Sequence, residues 1–454
     1  MTTTALASSL DPAPLGISFE FFAFPSYFKN VTATAQCLKN FEALTGMWPP
    51  IRIGGTTQDR ATYDASSEVY VDYSVAASTD APSSLTFGPS FMSLAATYPG
   101  TVVLGLNRGH DNISNTIAAA QVAKDRMGNL LAIELGNEPE YWVSDDQPIA
   151  KKAASWTPAV DAESQNNWDI LVGSALNSKR IIQAGNSNAA PPTWGAAELI
   201  ATENATAKSY VRDYAHHNYP GGTVESLMSH SNIASNVATF DADISAAVGT
   251  GKDYVLGETN SVSGGGAATV SPLFGSALWT MDYVLRAAAA NIKRAYFHHG
   301  TIGACYYCFW GRDTMSSPYY GAYAATAAMA GGSSIATLDD GSTNYGGYVI
   351  FDAAGRPLRV LLYNSDYFSG TGTRGNEIFV LEGLGSRQVR AKRLTAESAE
   401  ARADQGNNPS FGGQTFENAT CVMQGRETFE TVGAPGRRAT FAVAASEALL
   451  VYLQ

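Results

Sequence analysis

The chain has 454 residues, 45% of them hydrophobic and 11% aromatic, which is enough for a large core and more than one unit. Its formal net charge is −12 with only 15% charged residues, so it would repel polyphosphate, and nucleic acid is excluded as a partner. No apolar run reaches the roughly 18 residues of a membrane span, and the first 15 residues lack the basic start and apolar core of a signal peptide.

In chain order, eight apolar segments rich in β-branched residues alternate with helix-like stretches. The segments are 16–22, 50–56, 101–107, 130–137, 179–185, 210–219, 254–259 and 295–299. Most are continuous rather than alternating, the pattern of strands buried on both faces of a parallel sheet. Stretches such as 34–44, 113–127, 167–177 and 272–290 read as crossover helices. Eight such units predict an α/β fold closed into a (β/α)8 TIM barrel over 15–328. After about Ala330 turn signals such as Asp340-Gly341, Gly346-Gly347 and Gly412-Gly413 become frequent. Short strand-like runs lie between them at 348–351, 359–363, 377–381, 388–394, 420–423 and 448–453. Residues 329–454 therefore predict an antiparallel β-sandwich domain, to which residues within 1–14 add a strand.

Functional side chains of such a barrel sit at the C-terminal ends of its strands. The fourth segment ends Leu135-Gly136-Asn137-Glu138-Pro139, and the seventh ends Gly257-Glu258-Thr259-Asn260. Two carboxyl groups that face each other across the mouth suit retaining glycoside hydrolysis, which needs them about 5–5.5 Å apart. Glu138 is the expected general acid/base and Glu258 the expected nucleophile, with Gly257 leaving space for substrate. Glu134 lies within the fourth segment and is expected to be buried and paired.

These stretches, with Ser18-Phe19-Glu20-Phe21, Ile51-Arg52-Ile53-Gly54-Gly55 and His216-His217-Asn218-Tyr219, resemble glycoside hydrolase family 79. This is the β-glucuronidase and heparanase family of clan A, and the resemblance spans nearly the whole chain. It implies hydrolysis of β-linked glucuronosides, terminal glucuronic acid or its 4-O-methyl form, with retention of configuration. It also implies that Tyr219 hydrogen-bonds the nucleophile. Asn137 is expected to donate to the sugar 2-hydroxyl. Glu20 either accepts sugar hydroxyls or pairs with Arg52, which itself orients carboxylates inside the barrel.

The substrate carboxylate needs donors. Ser263 and Gly264, in the loop 261–266, offer backbone N–H groups and a hydroxyl. Tyr306, Tyr307 and Arg312, after the eighth segment, are further candidates. Trp142 either stacks on a sugar or packs its loop. The six histidines lack metal-site spacing, so no metal and no cofactor are expected. Cys305 and Cys308 form a short local disulfide or a pair of buried thiols; Cys37 and Cys421 complete the set. Sequons at Asn30, Asn112, Asn204 and Asn418 fit a secreted monomer, by another export route or with this sequence starting at the mature protein. The alternatives are a neutral or endo-acting β-glycosidase of the same clan and a non-catalytic carbohydrate-binding barrel. A serine hydrolase is disfavoured because no Gly-x-Ser-x-Gly elbow occurs.

Overall fold

The computed structural model describes residues 7–407 and 409–453. Eight parallel strands close into a barrel: β1 Leu15–Glu20, β2 Ile51–Gly54, β3 Val102–Leu106, β4 Leu130–Leu135, β5 Ile182–Asn188, β6 Val211–Asn218, β7 Asp253–Thr259 and β8 Ile292–His299. Ring closure is made by β8 on β1, with Phe297 beside Ile17. The continuous apolar runs behave as buried strands do: β1, β2 and β3 are buried at every position. β5 begins later than its sequence run because Arg180 adopts φ +55, a turn conformation incompatible with a strand. Helices cover the outside. That at Ile113–Arg126 starts where the Asn112 side chain accepts the Asn115 N–H, and that at Pro158–Ala175 starts at Thr157 with proline in its first turn.

The C-terminal unit is an antiparallel sandwich. Strands β9 Ser334–Thr337, β10 Tyr345–Phe351, β11 Pro357–Asn364, β12 Asn376–Glu382, β13 Gln388–Thr395, β14 Arg438–Ala444 and β15 Glu447–Tyr452 build most of it. The larger sheet runs β9-β10-β11-β15-β13, and β12 pairs with β14 to form the second layer. Ser8–Ser9 pairs antiparallel with Ile335 and Ser334 at the edge of the larger sheet; residues 2–6 of the expected first strand lie outside the described residues. The larger sheet is buried on both faces, which period-two alternation makes visible. Val349, Val360, Leu362, Leu449 and Val451 face the second layer. Tyr348, Ile350, Leu361, Tyr363 and Leu450 face the barrel and join its core.

Two runs differ from expectation. Residues 420–423 are mostly a turn, because Cys421 takes φ +62 and bonds Cys37 on the helix Ala33–Thr45; only Met423–Gln424 pairs, with Thr415–Phe416. β14 was not visible as a strand, because its outward Arg438, Thr440 and Ala442 dilute the apolar signal. The Cys-x-x-Cys pair is the disulfide Cys305–Cys308, and all four cysteines are bonded.

Candidate active site

The mouth of the barrel is built on one buried cation. Arg52, on β2 and fully buried, donates Nε and Nη2 to the two oxygens of Glu134 at 2.8 and 2.5 Å. It also donates Nη1 to Glu258 Oε2 at 2.5 Å and Nη2 to Asn137 Oδ1 at 2.9 Å. A guanidinium satisfies this arrangement because its donors form a rigid planar fork. Glu134 thus anchors Arg52 from inside the barrel, as its in-facing position on β4 dictates. Arg52→Met would leave a fully buried carboxylate without its cation. It is expected to lower stability by about 3–5 kcal/mol, read as a shift of the denaturant midpoint.

Glu138 follows β4 with φ +47, a left-handed conformation that costs a non-glycine residue about 1–3 kcal/mol. The surroundings hold it there. Its N–H donates to Asn186 O at 2.9 Å, and Asp59 Oδ2 accepts the preceding Asn137 N–H at 2.6 Å. Asp59 also takes the N–H groups of Arg108 and Gly109, tying the ends of β3 and β4 together. The turn aims the Glu138 carboxyl inward, where Oε1 lies 3.0 Å from His217 Nδ1. Burial, reinforced by the nearby Glu258 charge, pushes Glu138 up to about 8.

Glu258, on β7, has the opposite environment. Burial alone would raise it, but His298, Arg52, His217 and the Tyr219 hydroxyl favour its charge and hold it well below the usual carboxylate range. Tyr219 Oη donates to Glu258 Oε1 at 2.5 Å. His298 Nδ1 is 3.4 Å from Glu258 Oε2, and its Nε2 is 3.3 Å from Glu20 Oε2. Despite its burial, which lowers it, His298 is raised by these two carboxylates, which favour its charged form. Oxygens of Glu138 and Glu258 approach within 4.8 Å, together with His217 nitrogen. The trio has the donor types of a cation site. However, the Arg52 guanidinium already donates to Glu258, and a metal ion there would meet its charge. The arrangement suits proton handling instead.

A cavity of about 370 Å³ opens above these groups, lined by Glu20, Glu138, Tyr219, Glu258, His298 and Tyr307, with Ser263, Gly264 and Gly265 on one side. Gly264, Gly265 and Gly266 all have positive φ, at 66, 89 and 89°, and this brings the loop backbone to the cavity wall. Among the described residues, nothing accepts the N–H groups of Gly264 and Gly265. Tyr306 and Arg312 are not brought here; they line a separate neighbouring cavity, while Tyr307 lines this one. Glu20 does not pair with Arg52. It accepts the Thr57 N–H and hydroxyl and faces His298. Trp142 is buried and packs its loop, stacked on Trp156 and in contact with the Arg108 guanidinium. The space beside Gly257 is filled by Gln183 and Ala215 inside the barrel, so that glycine serves packing rather than substrate approach. Sequence reasoning missed Arg60, Thr57 and Asn188 in the cavity wall, and gave no role to His298 or His217 beyond hydrogen bonding.

Comparison with known proteins agrees with this geometry. Residues 347–450 match the Glycosyl hydrolase family 79 C-terminal beta domain. A β-glucuronidase of Aspergillus niger is 30% identical over 381 residues, 74% of this chain and 69% of that protein. A β-glucuronidase of Neurospora crassa is 28% identical over 375 residues, covering 72% of this chain and 65% of the relative. The crystal structure of a 4-O-α-L-rhamnosyl-β-D-glucuronidase from Fusarium oxysporum 12S superposes with TM-score 0.96 at 49% identity, covering 100% of this chain and 99% of that one.

Proposed function

The chain belongs to glycoside hydrolase family 79, and from that premise we propose that it is a retaining β-glucuronidase acting through Glu138 and Glu258. One observation carries the mechanism: two carboxyl groups with oxygens within 4.8 Å, one favoured neutral and the other favoured charged. That spacing falls on the retaining side of the roughly 6.5–9.5 Å that inverting enzymes need for a water molecule.

Glu258 attacks the anomeric carbon, and Glu138 delivers its proton to the departing glycosidic oxygen. Glu138, now ionised, then takes a proton from water, which displaces Glu258 and releases the sugar. Tyr219 and Arg52 hold Glu258 in line, with His298 beside it. With Asn137 Oδ1 engaged by Arg52, its amide N–H is directed to the 2-hydroxyl. Glu20 accepts sugar hydroxyls. The glucuronate carboxylate is held by the Gly264 and Gly265 N–H groups and the Tyr307 hydroxyl, with Ser263 and the Arg60 guanidinium at the rim.

The substrate is a glycan or glycoside bearing a β-linked glucuronosyl unit. The name of the Fusarium oxysporum relative extends the class to glucuronosyl units substituted at O4. Two disulfides support a secreted protein in an oxidising compartment.

The test is turnover of p-nitrophenyl β-glucuronide beside the matching glucoside and xyloside. Two or more charge-assisted bonds to the carboxylate predict a preference of at least about 100-fold in kcat/KM. Equal rates on the glucoside would sink the substrate assignment.

A further inference from the structure

Tyr307 sits on a stretch with little regular structure to hold it. Among the described residues, 300–317, between β8 and the helix Pro318–Met329, form no helix or strand beyond the single bridge of Trp310 with Met315. Without a ladder of backbone bonds, such a stretch retains much of its conformational freedom. The Cys305–Cys308 disulfide closes it around two residues, Tyr306 and Tyr307.

Sequence separation tells the two disulfides apart. A disulfide stabilises a fold mainly by removing unfolded-chain entropy, and the gain grows with the loop it closes. Cys37 and Cys421 are 384 positions apart, whereas Cys305 and Cys308 are 3 apart. The short bond therefore adds little to global stability, and its effect is local order.

That order is delivered at the cavity of the two glutamates. Tyr307 is buried on its wall, with its ring centroid 6.2 Å from that of Tyr219 and 6.1 Å from that of His298. Asn260, just after β7, donates Nδ2 to His298 O at 3.1 Å and to Tyr307 O at 3.4 Å. The glycine loop is tied to the same place, because the Tyr306 N–H donates to Gly265 O at 2.7 Å. A Cβ at Gly265 would come within 2.8 Å of Ala304 O, and one at Gly266 within 3.0 Å of Tyr307 N, so the two loops pack backbone to backbone. On the far side Cys308 Sγ lies 3.3 Å from the hydroxyl of the fully buried Tyr27, which donates to Gly300 O at 2.9 Å. Cys305 is the less buried cysteine and lines the neighbouring cavity.

We propose that the Cys305–Cys308 disulfide determines specificity by position. It holds Tyr307 and, through Tyr306 and Gly265, the glycine loop in the geometry that receives the glucuronate carboxylate. Neither cysteine lines the glutamate cavity, so the bond acts through these donors and not on the substrate. The proposal rests on the glucuronidase reading and deepens it by giving the preference for a charged sugar a covalent support.

The experiment measures KM and kcat on p-nitrophenyl β-glucuronide and kcat/KM on the matching glucoside, for the wild type and the double variant Cys305→Ser plus Cys308→Ser. The glucoside carries a hydroxymethyl group in place of the carboxylate, so it makes no demand on these donors. In the variant, KM for the glucuronide should rise about tenfold with kcat within about threefold, while kcat/KM on the glucoside stays within about twofold. Should the variant not fold, the wild type is opened with dithiothreitol, which becomes a cyclic disulfide as the bond becomes two thiols. The same shift should appear and reverse on reoxidation. Alkylation at Cys305 and Cys308, with the buried Cys37 and Cys421 unlabelled, identifies the opened bond. The proposal is overturned if the ratio of the two substrates is unchanged in the opened protein, or if both substrates fall together. A wild type with no preference for the glucuronide overturns the glucuronidase reading itself, and the proposal with it.

Discussion

Glu258→Gln lowers kcat on p-nitrophenyl β-glucuronide by on the order of 10⁵-fold, with the fold intact. Glutamine matches glutamate in shape, and its amide oxygen still accepts from Tyr219 or Arg52. What it cannot do is form the glycosyl ester. A good leaving group does not rescue this variant, since the missing step is bond formation at the anomeric carbon. A 2-deoxy-2-fluoro glucuronide bearing a good leaving group should, in the wild type, leave its sugar on the peptide that contains Glu258. A residual rate within tenfold of wild type, or a label on another carboxylate, would remove Glu258 from the nucleophile's role.

Glu138→Gln has a different signature. On glycosides with alkoxide leaving groups, kcat/KM should fall by about 10²–10⁴-fold, the usual contribution of a positioned acid. On p-nitrophenyl glucuronide, whose leaving group needs little protonation, the first step should be largely spared. The pH profile separates this from damage to binding. In the wild type the acid must be protonated, and its carboxyl is raised to about 8, so kcat/KM holds below that pH and falls as pH rises through it. Glu138→Gln has no proton to lose there, and its profile should lack the alkaline limb. An unchanged limb would assign it to another group.

Much of the fold was legible because buried parallel strands leave continuous apolar runs. The two glutamates were legible because each ends such a run. What was not legible depends on direction and on loops. Tyr306 and Tyr307 are neighbours of equal chemistry, yet one lines the glutamate cavity and the other is exposed beside a different cavity. Arg60 enters the cavity wall from a short 3-10 turn after β2, which no periodicity announces. Trp142 offered two readings in the sequence. Only its burial against Arg108 and Trp156 decides between them. The run 420–423 carries strand-forming residues, but tethering Cys421 to a distant helix overrides local preference.

That tether reaches further than one turn. Cys37 and Cys421 are 384 positions apart, so their bond threads nearly the whole polypeptide into one covalent ring. A protease that cuts an exposed loop between them opens the ring but frees no piece. The severed halves stay within reach of each other and can settle back together. Reduction removes that insurance, and a cut chain then becomes two molecules that can drift apart.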